Sequence, residues 1–490
     1  MKIVIASSEA IPFAKTGGLA DVASGLSKAL ANSGHDVTLM LPFYRRLTPA
    51  SLVGASLGTV TVKVGEKQVE ATLFSGTMPG SALRVVLIDK PDYFDRAALY
   101  TEKGHDYHDN CARFVFFSRA VLEAARVLDL KPDVFHAHDW QTGLIPALVR
   151  TDWRKRPGCE STAAVYTIHN MAFQGKFPWW DMRLTGMSWE YFTWQQMEYY
   201  GDLNLMKTGI VFSDITTTVS PTYAREICRP DYGYGLDSVL ALRGNRLVGI
   251  LNGVDTDEWN PQTDKYLPVK YTLANVGEGK AACKKALQQE LGLPQRGEAM
   301  LFGMVSRLTD QKGLDLVLAK AEELLKADVQ LVFLGTGDVR TENSLHELAH
   351  RFPQKVGLRI GFDEGLAHRI EAGSDAYLMP SRFEPCGLNQ MYSMIYGTPP
   401  IVMSVGGLAD SVTDTTPETL MNGTATGFKF STYTPEQFLS AVWKAVGCFL
   451  HDRVGWSKLL ESGMSRDWSW KRGAAEFTQA YQRSVQLNAK

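Results

Sequence analysis

Apolar and polar positions along this chain fall into short buried runs separated by segments with helical spacing. Residues 2–7 form a continuous apolar run of strand length, and apolar positions then recur at helical intervals from Leu19 to Ala31, where Ser33 and Gly34 stop them. A second strand is expected at 36–42. Segments 59–64, 68–74 and 83–88 alternate with a period of two, as hairpins decorating a sheet do. A helix is expected from about 110 to 128. The runs 133–139 and 163–170 are buried strands that end in polar residues, and 215–219 is a further strand with a helix start at Ser220-Pro221. Segment 171–204 is rich in Trp, Phe and Tyr and reads as a helical lid or wall.

Turn-forming residues between Gly249 and Pro268 interrupt the pattern, and a second series begins. It has strands at 300–305, 329–335, 356–361, 375–379 and 400–405, with helices at about 313–326, 341–352, 364–373 and 387–396. Two last helices, about 435–450 and 468–487, carry Trp443, Trp456, Trp468 and Trp470 as packing anchors. The alternation predicts an α/β fold of two Rossmann-like domains facing an interdomain cleft. The first spans 1–250, with the terminal helix, about 468–490, packing back on it. The second spans 251–467 and holds the nucleotide.

Bulk properties narrow the function classes. A chain of 490 residues is too long for one core, and 51 basic against 53 acidic residues leave a net charge of −2. That balance provides no electrostatic case for nucleic acid or an anionic membrane. Six scattered cysteines without a CxxC pair fit reduced thiols better than a disulfide framework or a zinc site. No leader pattern and no apolar run of roughly 20 residues is present, so a cytoplasmic protein is expected.

The chemistry concentrates in strand-to-helix turns. Ser381-Arg382-Phe383-Glu384-Pro385-Cys386-Gly387-Leu388 places a carboxylate, a rigid Pro and a flexible Gly at such a turn. In an open α/β sheet these turns line the carboxyl edge, where ligands bind, and a helix start suits phosphate. Glu384 would repel a phosphate, so the economical ligand has a diphosphate at one end and hydroxyls near the carboxylate: a nucleotide sugar. Ser306 to Gly313 puts Arg307 and Lys312 at another strand end, a planar fork and a compact charge able to neutralise a diphosphate without a metal. Lys15-Thr16-Gly17-Gly18 is a third glycine-rich turn. No HExxH, DxD or His/Cys cluster offers a metal site, and His136 reads as a satisfied core histidine.

Eight segments in order, KTGGLADV (15–22), HAHDWQ (136–141), TIHN (167–170), VSPTYAREI (219–227), LNGVD (251–255), SRLTDQKG (306–313), PSRFEPCGL (380–388) and GGLADSV (406–412), resemble the family of bacterial glycogen synthases and plant starch synthases. The resemblance runs from Lys2 to about Trp470. It implies a retaining glycosyltransferase of two-Rossmann (GT-B) architecture that moves glucose from ADP-glucose to the non-reducing end of an α-1,4-glucan, glycogen or maltodextrin, with no cofactor. It further implies that Arg307 and Lys312 hold the ADP phosphates and that Glu384 orients the donor glucose, with backbone N–H groups of Cys386, Gly387 and Leu388 adding contacts. Lys15 and Gly18 would close over the donor. Asp139, His169 and Asn252 would surround the glucose and the attacking hydroxyl, and Asp21, Tyr100 and Tyr107 would serve the acceptor.

Two positions depart from the family pattern. Asn389 stands where Thr is common and is expected to donate near a phosphate. Phe362 stands where Tyr is common beside the base and keeps stacking without the hydroxyl. Together they leave the choice between ADP- and UDP-glucose open. Cys386 reads more simply as a packed small side chain than as a chemical group. A dinucleotide-dependent oxidoreductase is disfavoured because the opening loop lacks G-x-G-x-x-G. A non-catalytic glucan-binding protein would explain the aromatic segment but not the charged residues at loop positions. A glucan phosphorylase would need a lysine set to hold a pyridoxal cofactor, and none is seen.

Overall fold

The computed structural model describes residues 1–102 and 104–489, so Lys490, the end of the terminal helix span expected above, lies outside the described residues. The chain forms two compact units, Met1–Gly253 with Trp470–Lys490, and Val254–Ser469.

The first unit is built on a nine-stranded sheet. Its strands are β1 (Lys2–Ala6), β2 (Asp36–Pro42), β3 (Val53–Val64), β4 (Lys67–Thr77), β5 (Arg84–Asp89), β8 (Val134–His138), β9 (Ala163–Ile168), β13 (Ile215–Thr218) and β14 (Leu247–Gly249). A two-residue ribbon, β6 (Thr101–Glu102) with β7 (His105–Asp106), lies outside it. The order is β14-β13-β9-β8-β1-β2-β5-β4-β3, parallel from β14 to β5 and antiparallel in the last two steps. The period-two segments therefore extend the main sheet as an edge meander rather than decorating it. The buried strands read as unbroken apolar runs because helices cover both faces.

The order reverses at β1, which pairs with β2 on one side and β8 on the other. Ligands bind at the carboxyl ends of strands at such a point. The helix Gly18–Asn32 follows β1, and the terminal helix Trp470–Gln486 lies against it. Gly25 permits that approach: a Cβ there would sit 2.0 Å from Trp470 Nε1. Phe477 and Tyr481 join Ile3, Ile5 and Leu26 in the core, each such burial contributing about 2 kcal/mol.

Segment 171–204 is not helical in the main. It folds into a small antiparallel sheet, β10 (Lys176–Pro178), β12 (Asp202–Asn204) and β11 (Glu198–Tyr199), interleaved with single helical turns. Its Trp179, Trp180, Trp189 and Trp194 are exposed.

The second unit is a six-stranded, all-parallel sheet. Its strands are β15 (Met300–Val305), β16 (Val329–Gly335), β17 (Val356–Ile360), β18 (Ala376–Met379), β19 (Pro400–Met403) and β20 (Phe428–Phe430), in the order β17-β16-β15-β18-β19-β20. Here β15 is the reversal point, between β16 and β18. Strand β20 and the helices Val276–Glu290 and Arg453–Ser465 add to the elements expected from sequence. Trp456, Trp468 and Trp470 are buried, but Trp443 is 37% exposed and is not a core anchor. No described helix is long and apolar enough to cross a membrane.

Candidate functional site

In the second unit the chain leaves β15 into Ser306–Lys312 and leaves β18 into Pro380–Leu388, so both loops open at one reversal point. Lys312 ends the helical turn Asp310–Lys312, Gly313 just after it adopts φ +73°, and a Cβ at Gly313 would lie 2.0 Å from the Pro380 carbonyl oxygen. That close approach brings two loops 72 residues apart into register. The Arg382 N–H donates to the Gln311 carbonyl at 2.8 Å, and Gln311 Nε2 donates to the Phe383 carbonyl at 3.1 Å.

The outcome is a directed ion pair. Lys312 Nζ donates to Glu384 Oε2 at 2.6 Å, and the buried Ser381 hydroxyl donates to the same oxygen at 2.9 Å. Oε1 has no hydrogen-bond partner among the described residues. One carboxylate oxygen is thus locked and the other left to a ligand. Lys312, expected to serve phosphates alone, also fixes Glu384 and keeps further N–H bonds to give. Arg307 is exposed, and its guanidinium has no partner among the described residues.

Glycines clamp the Glu384 loop from its other side. Gly406 has φ +43°, and a Cβ there would fall 2.0 Å from the Glu384 carbonyl oxygen. At Gly407 a Cβ would fall 2.1 Å from the Cys386 carbonyl oxygen, and its N–H donates to the Glu384 carbonyl at 3.0 Å. This accounts for two glycines at the start of GGLADSV. Gly387 has φ +72°, and the N–H groups of Gly387 and Leu388 make no hydrogen bond among the described residues. Cys386 is buried in no disulfide.

Asn389 differs from its expected role. Its Nδ2 donates to the Val305 carbonyl at 3.0 Å and to Tyr377 Oη at 2.8 Å. Both amide hydrogens are committed to holding the helix start Asn389–Ile395 against β15, so none points to a phosphate. Phe362 is 87% exposed on the turn after β17.

In the first unit the carboxyl ends of β1, β8 and β9 carry the other candidates. The glycine-rich loop is held by Glu9, which the sequence reading missed. Glu9 Oε2 accepts from the Thr16 N–H at 2.5 Å and the Gly17 N–H at 3.2 Å, and Oε1 accepts from Thr16 Oγ1 at 2.9 Å and Tyr100 Oη at 2.7 Å. Tyr100, placed with the acceptor by sequence, is therefore part of this internal network, with Ser8 Oγ 2.7 Å from its hydroxyl. Lys15 is exposed and paired with Asp21 at 2.9 Å. The Tyr107 ring lies beneath the guanidinium groups of Arg96 and Arg113, 4.6 and 5.0 Å from its centroid. Glu9 was readable in principle, being a carboxylate just past a strand end like Asp139.

Asp139 follows β8 with φ +56°. Its Oδ1 accepts the His169 backbone N–H at 2.7 Å, joining the ends of β8 and β9. Burial pushes its carboxyl up to about 7, opposed by the backbone N–H of His169 and reinforced by the charge of Glu9. His169 Nε2 lies 2.9 Å from His138 Nδ1, and burial lowers the His169 imidazole to about 3. His138 is likewise lowered by burial, so both rings are neutral and exchange one hydrogen bond. His138 Nε2 has no hydrogen-bond partner among the described residues, and His138 is a further residue the sequence reading did not select. His136 is a core histidine, bonded to Thr167 Oγ1 at 2.6 Å and Tyr481 Oη at 2.8 Å. Asn252 is buried beyond β14, with Oδ1 unpartnered among the described residues. No grouping of His, Cys, Asp and Glu at metal-ligand spacing occurs at either reversal point among the described residues.

Comparison with known proteins gives a consistent picture. Residues 2–242 match the family described as starch synthase catalytic domain, and residues 287–446 match glycosyl transferases group 1. A glycogen synthase of Anaeromyxobacter dehalogenans (strain 2CP-C) is 46% identical over 98% of this chain and 99% of its own. One of Koribacter versatilis (strain Ellin345) is 42% identical over 100% and 99%. Among solved structures, the catalytic domain of starch synthase IV from Arabidopsis thaliana, bound to ADP and acarbose, superposes with a TM-score of 0.90 at 35% identity, covering 99% of each chain.

Proposed function

Since the chain belongs to the glycogen and starch synthase family of retaining GT-B glycosyltransferases, we propose a division of labour among its residues and ADP-glucose as its donor. The reaction is transfer of glucose from a nucleotide sugar to an α-1,4-glucan. The observation that carries the assignment is the locked Glu384 carboxylate, with Oε2 on Lys312 and Ser381 and Oε1 left over.

Oε1 accepts a hydroxyl of the donor glucose and fixes the ring. Lys312 bridges Glu384 and the diphosphate, and Arg307, with no partner to give up among the described residues, takes phosphate oxygens. The Gly387 and Leu388 N–H groups, with that of Cys386, add donors. From the first unit, Asp139, His169 and Asn252 serve the glucose and the attacking hydroxyl, and Lys15 and Gly18 the donor. Asn389 acts by positioning the helix start, and Phe362 offers a face to the base. Tyr100 acts through Glu9, and Asp21 through Lys15. Tyr107, ringed by guanidinium groups, remains assigned to the acceptor side.

Retention follows from attack on the face the leaving group departs. The C1–oxygen bond breaks with its electron pair going to the diphosphate, the acceptor oxygen bonds C1 through an oxocarbenium-like state, and its proton passes to the departing phosphate oxygen. Glu384 is poorly suited to be a nucleophile because an ammonium and a hydroxyl hold one of its oxygens. His169, neutral and weakly basic, contributes hydrogen bonding rather than a proton. Cationic donors preorganised at the leaving oxygen stabilise the charge that develops there.

The test is glucose incorporation into glycogen from labelled ADP-glucose and UDP-glucose, side by side. Transfer from ADP-glucose is expected. Preference for UDP-glucose overturns the donor assignment, and incorporation from neither overturns the assignment of the site.

A further inference from the structure

Away from the β15 reversal point, the second unit holds a buried imidazole with one nitrogen unaccounted for. His368, on the helix Glu364–Gly373, is 1% exposed. Its Nδ1 lies 2.7 Å from Asp264 Oδ2, which also accepts from Tyr396 Oη at 2.5 Å, while Asp264 Oδ1 accepts the Tyr266 N–H at 2.8 Å. An ionised Asp264 so bonded holds a proton on Nδ1. The ring is further fixed by the Trp259 indole, stacked at 3.8 Å and 11°. Nε2 remains, buried and without a hydrogen-bond partner among the described residues. Leaving such an atom unsatisfied is costly, so it calls for a ligand.

Two exposed carboxylates supply the surroundings. Glu364 lies one turn before His368 on the same helix, and Glu258 immediately precedes the stacked Trp259. One ligand-capable atom from each of the three lies within 4.8 Å of the others. We propose that Glu258, Glu364 and His368 bind a divalent transition-metal ion of the zinc class, with Asp264 orienting the histidine through its other nitrogen.

The donor set selects the ion. One neutral imidazole nitrogen with two carboxylate oxygens suits zinc and its neighbours, whereas Mg²⁺ and Ca²⁺ favour oxygen alone. A carboxylate on the far nitrogen is the usual support for a metal-bound histidine, because it sets the tautomer and the ring orientation. Ligands at about 2.0–2.2 Å from zinc lie no more than about 4.4 Å apart, so small rotamer shifts of the two surface glutamates close the set. Water completes the coordination. The ion is structural: it ties the segment bearing Glu258, close to the start of this unit, to the helix that begins two residues after Phe362. It touches none of the residues assigned to glucose transfer.

The experiment uses the full chain stripped with chelator. Calorimetric titration is expected to show one Zn²⁺ per chain, bound at least about tenfold more tightly than Mg²⁺, with a raised Tm. The isosteric double variant Glu258→Gln/Glu364→Gln should lose about 100-fold or more in zinc affinity. X-ray absorption at the zinc edge of the unaltered protein should show nitrogen and oxygen ligands only, a readout independent of how the variant folds. Absence of saturable binding, unchanged affinity in the double variant, Mg²⁺ bound as tightly as Zn²⁺, or sulfur in the zinc shell each overturns the proposal.

Discussion

The two reversal-point loops meet one demand by opposite means. Residues 15–18 of the first unit are held by a side chain: Glu9 bonds the Thr16 and Gly17 N–H groups, and nothing lies within 4 Å of where a Gly17 Cβ would be. Residues 380–388 of the second unit are held chiefly by backbone against backbone, through Gly313, Gly406 and Gly407, with the Gln311 and Gln390 amides adding bonds to the Phe383, Cys386 and Gly387 carbonyls. A loop held by one carboxylate can be re-tuned by whatever competes for it. A loop held by close packing cannot move without breaking its neighbours. In the first loop the Thr16 and Gly17 N–H groups are spent on Glu9 and the Lys15 ammonium on Asp21. In the second, cations and N–H groups remain for a ligand, which is why the diphosphate is assigned there.

The contrast breaks most sharply in a pair of glycine substitutions. In Gly407→Ala the new methyl would meet the Cys386 carbonyl at 2.1 Å, with only backbone to yield. We expect at least about 2 kcal/mol of destabilisation, a lower Tm and loss of nearly all transfer activity. Gly17→Ala meets nothing, and its φ of −158° is ordinary extended backbone, so Tm should stay within the equivalent of about 0.5 kcal/mol. Equal Tm losses in the two variants would erase the distinction.

Lys312→Ala is next. It removes the phosphate cation and strips Glu384 of the partner that orients it. Turnover should fall at least about 100-fold with a modest change in donor KM, because the interaction grows as charge builds on the leaving oxygen. Steady-state kinetics at saturating glycogen decides the matter; near-normal kcat would remove Lys312 from the machinery.

Glu9→Gln tests the side-chain-held loop. The amide keeps one acceptor oxygen where the carboxylate served the Thr16 and Gly17 N–H groups, the Thr16 hydroxyl and Tyr100. The loss of about 1–1.5 kcal/mol of charge-assisted bonding should raise donor KM about tenfold and leave kcat within a few-fold. A fall confined to kcat would show that Glu9 does more than hold the loop.

Asp139 gives the comparison a pH axis. Its folded pKa of about 7 lies above the ordinary 3.8, so the folded state retains a proton that the unfolded chain releases first. The stability this contributes is present at low pH, declines as pH rises from about 4 through about 7, and is gone above. Tm measured from pH 4 to 8 should show that decline, and Asp139→Asn should flatten it. Because Glu9 helps raise this pKa, Glu9→Gln should move the step to lower pH.

How much of this was legible follows from what each feature depends on. Strands buried on both faces leave largely apolar runs, so β1, β8, β9, β15, β16, β18 and β19 could be read directly, and with them the strand ends where chemistry collects. Strand β20 has three residues, too few for any period. Trp443 lies one position off the apolar stripe of Pro435–His451 formed by Leu439, Val442 and Val446, and so faces out. The pairing of Lys312 with Glu384, and of Glu9 with Thr16 and Tyr100, is tertiary; no local pattern records that the loops meet. The aromatic segment misled because Trp and Tyr serve strands as readily as helices.

The smallest expected effect concerns Asn389, which belongs to the backbone-held loop although it is a side chain. Its amide donates twice, to Val305 and Tyr377, and Thr could replace only one of those bonds from a shorter stem. Asn389→Thr should therefore shift the start of its helix slightly and change donor KM a few-fold, equivalent to about 1 kcal/mol. The Gly387 and Leu388 N–H groups just before it would follow, whereas the locked Glu384 carboxylate would not. Product linkage should stay α-1,4, as read by complete digestion with an α-1,4-specific glucosidase. A changed linkage would place Asn389 at the reacting sugar itself, where its observed bonds do not put it.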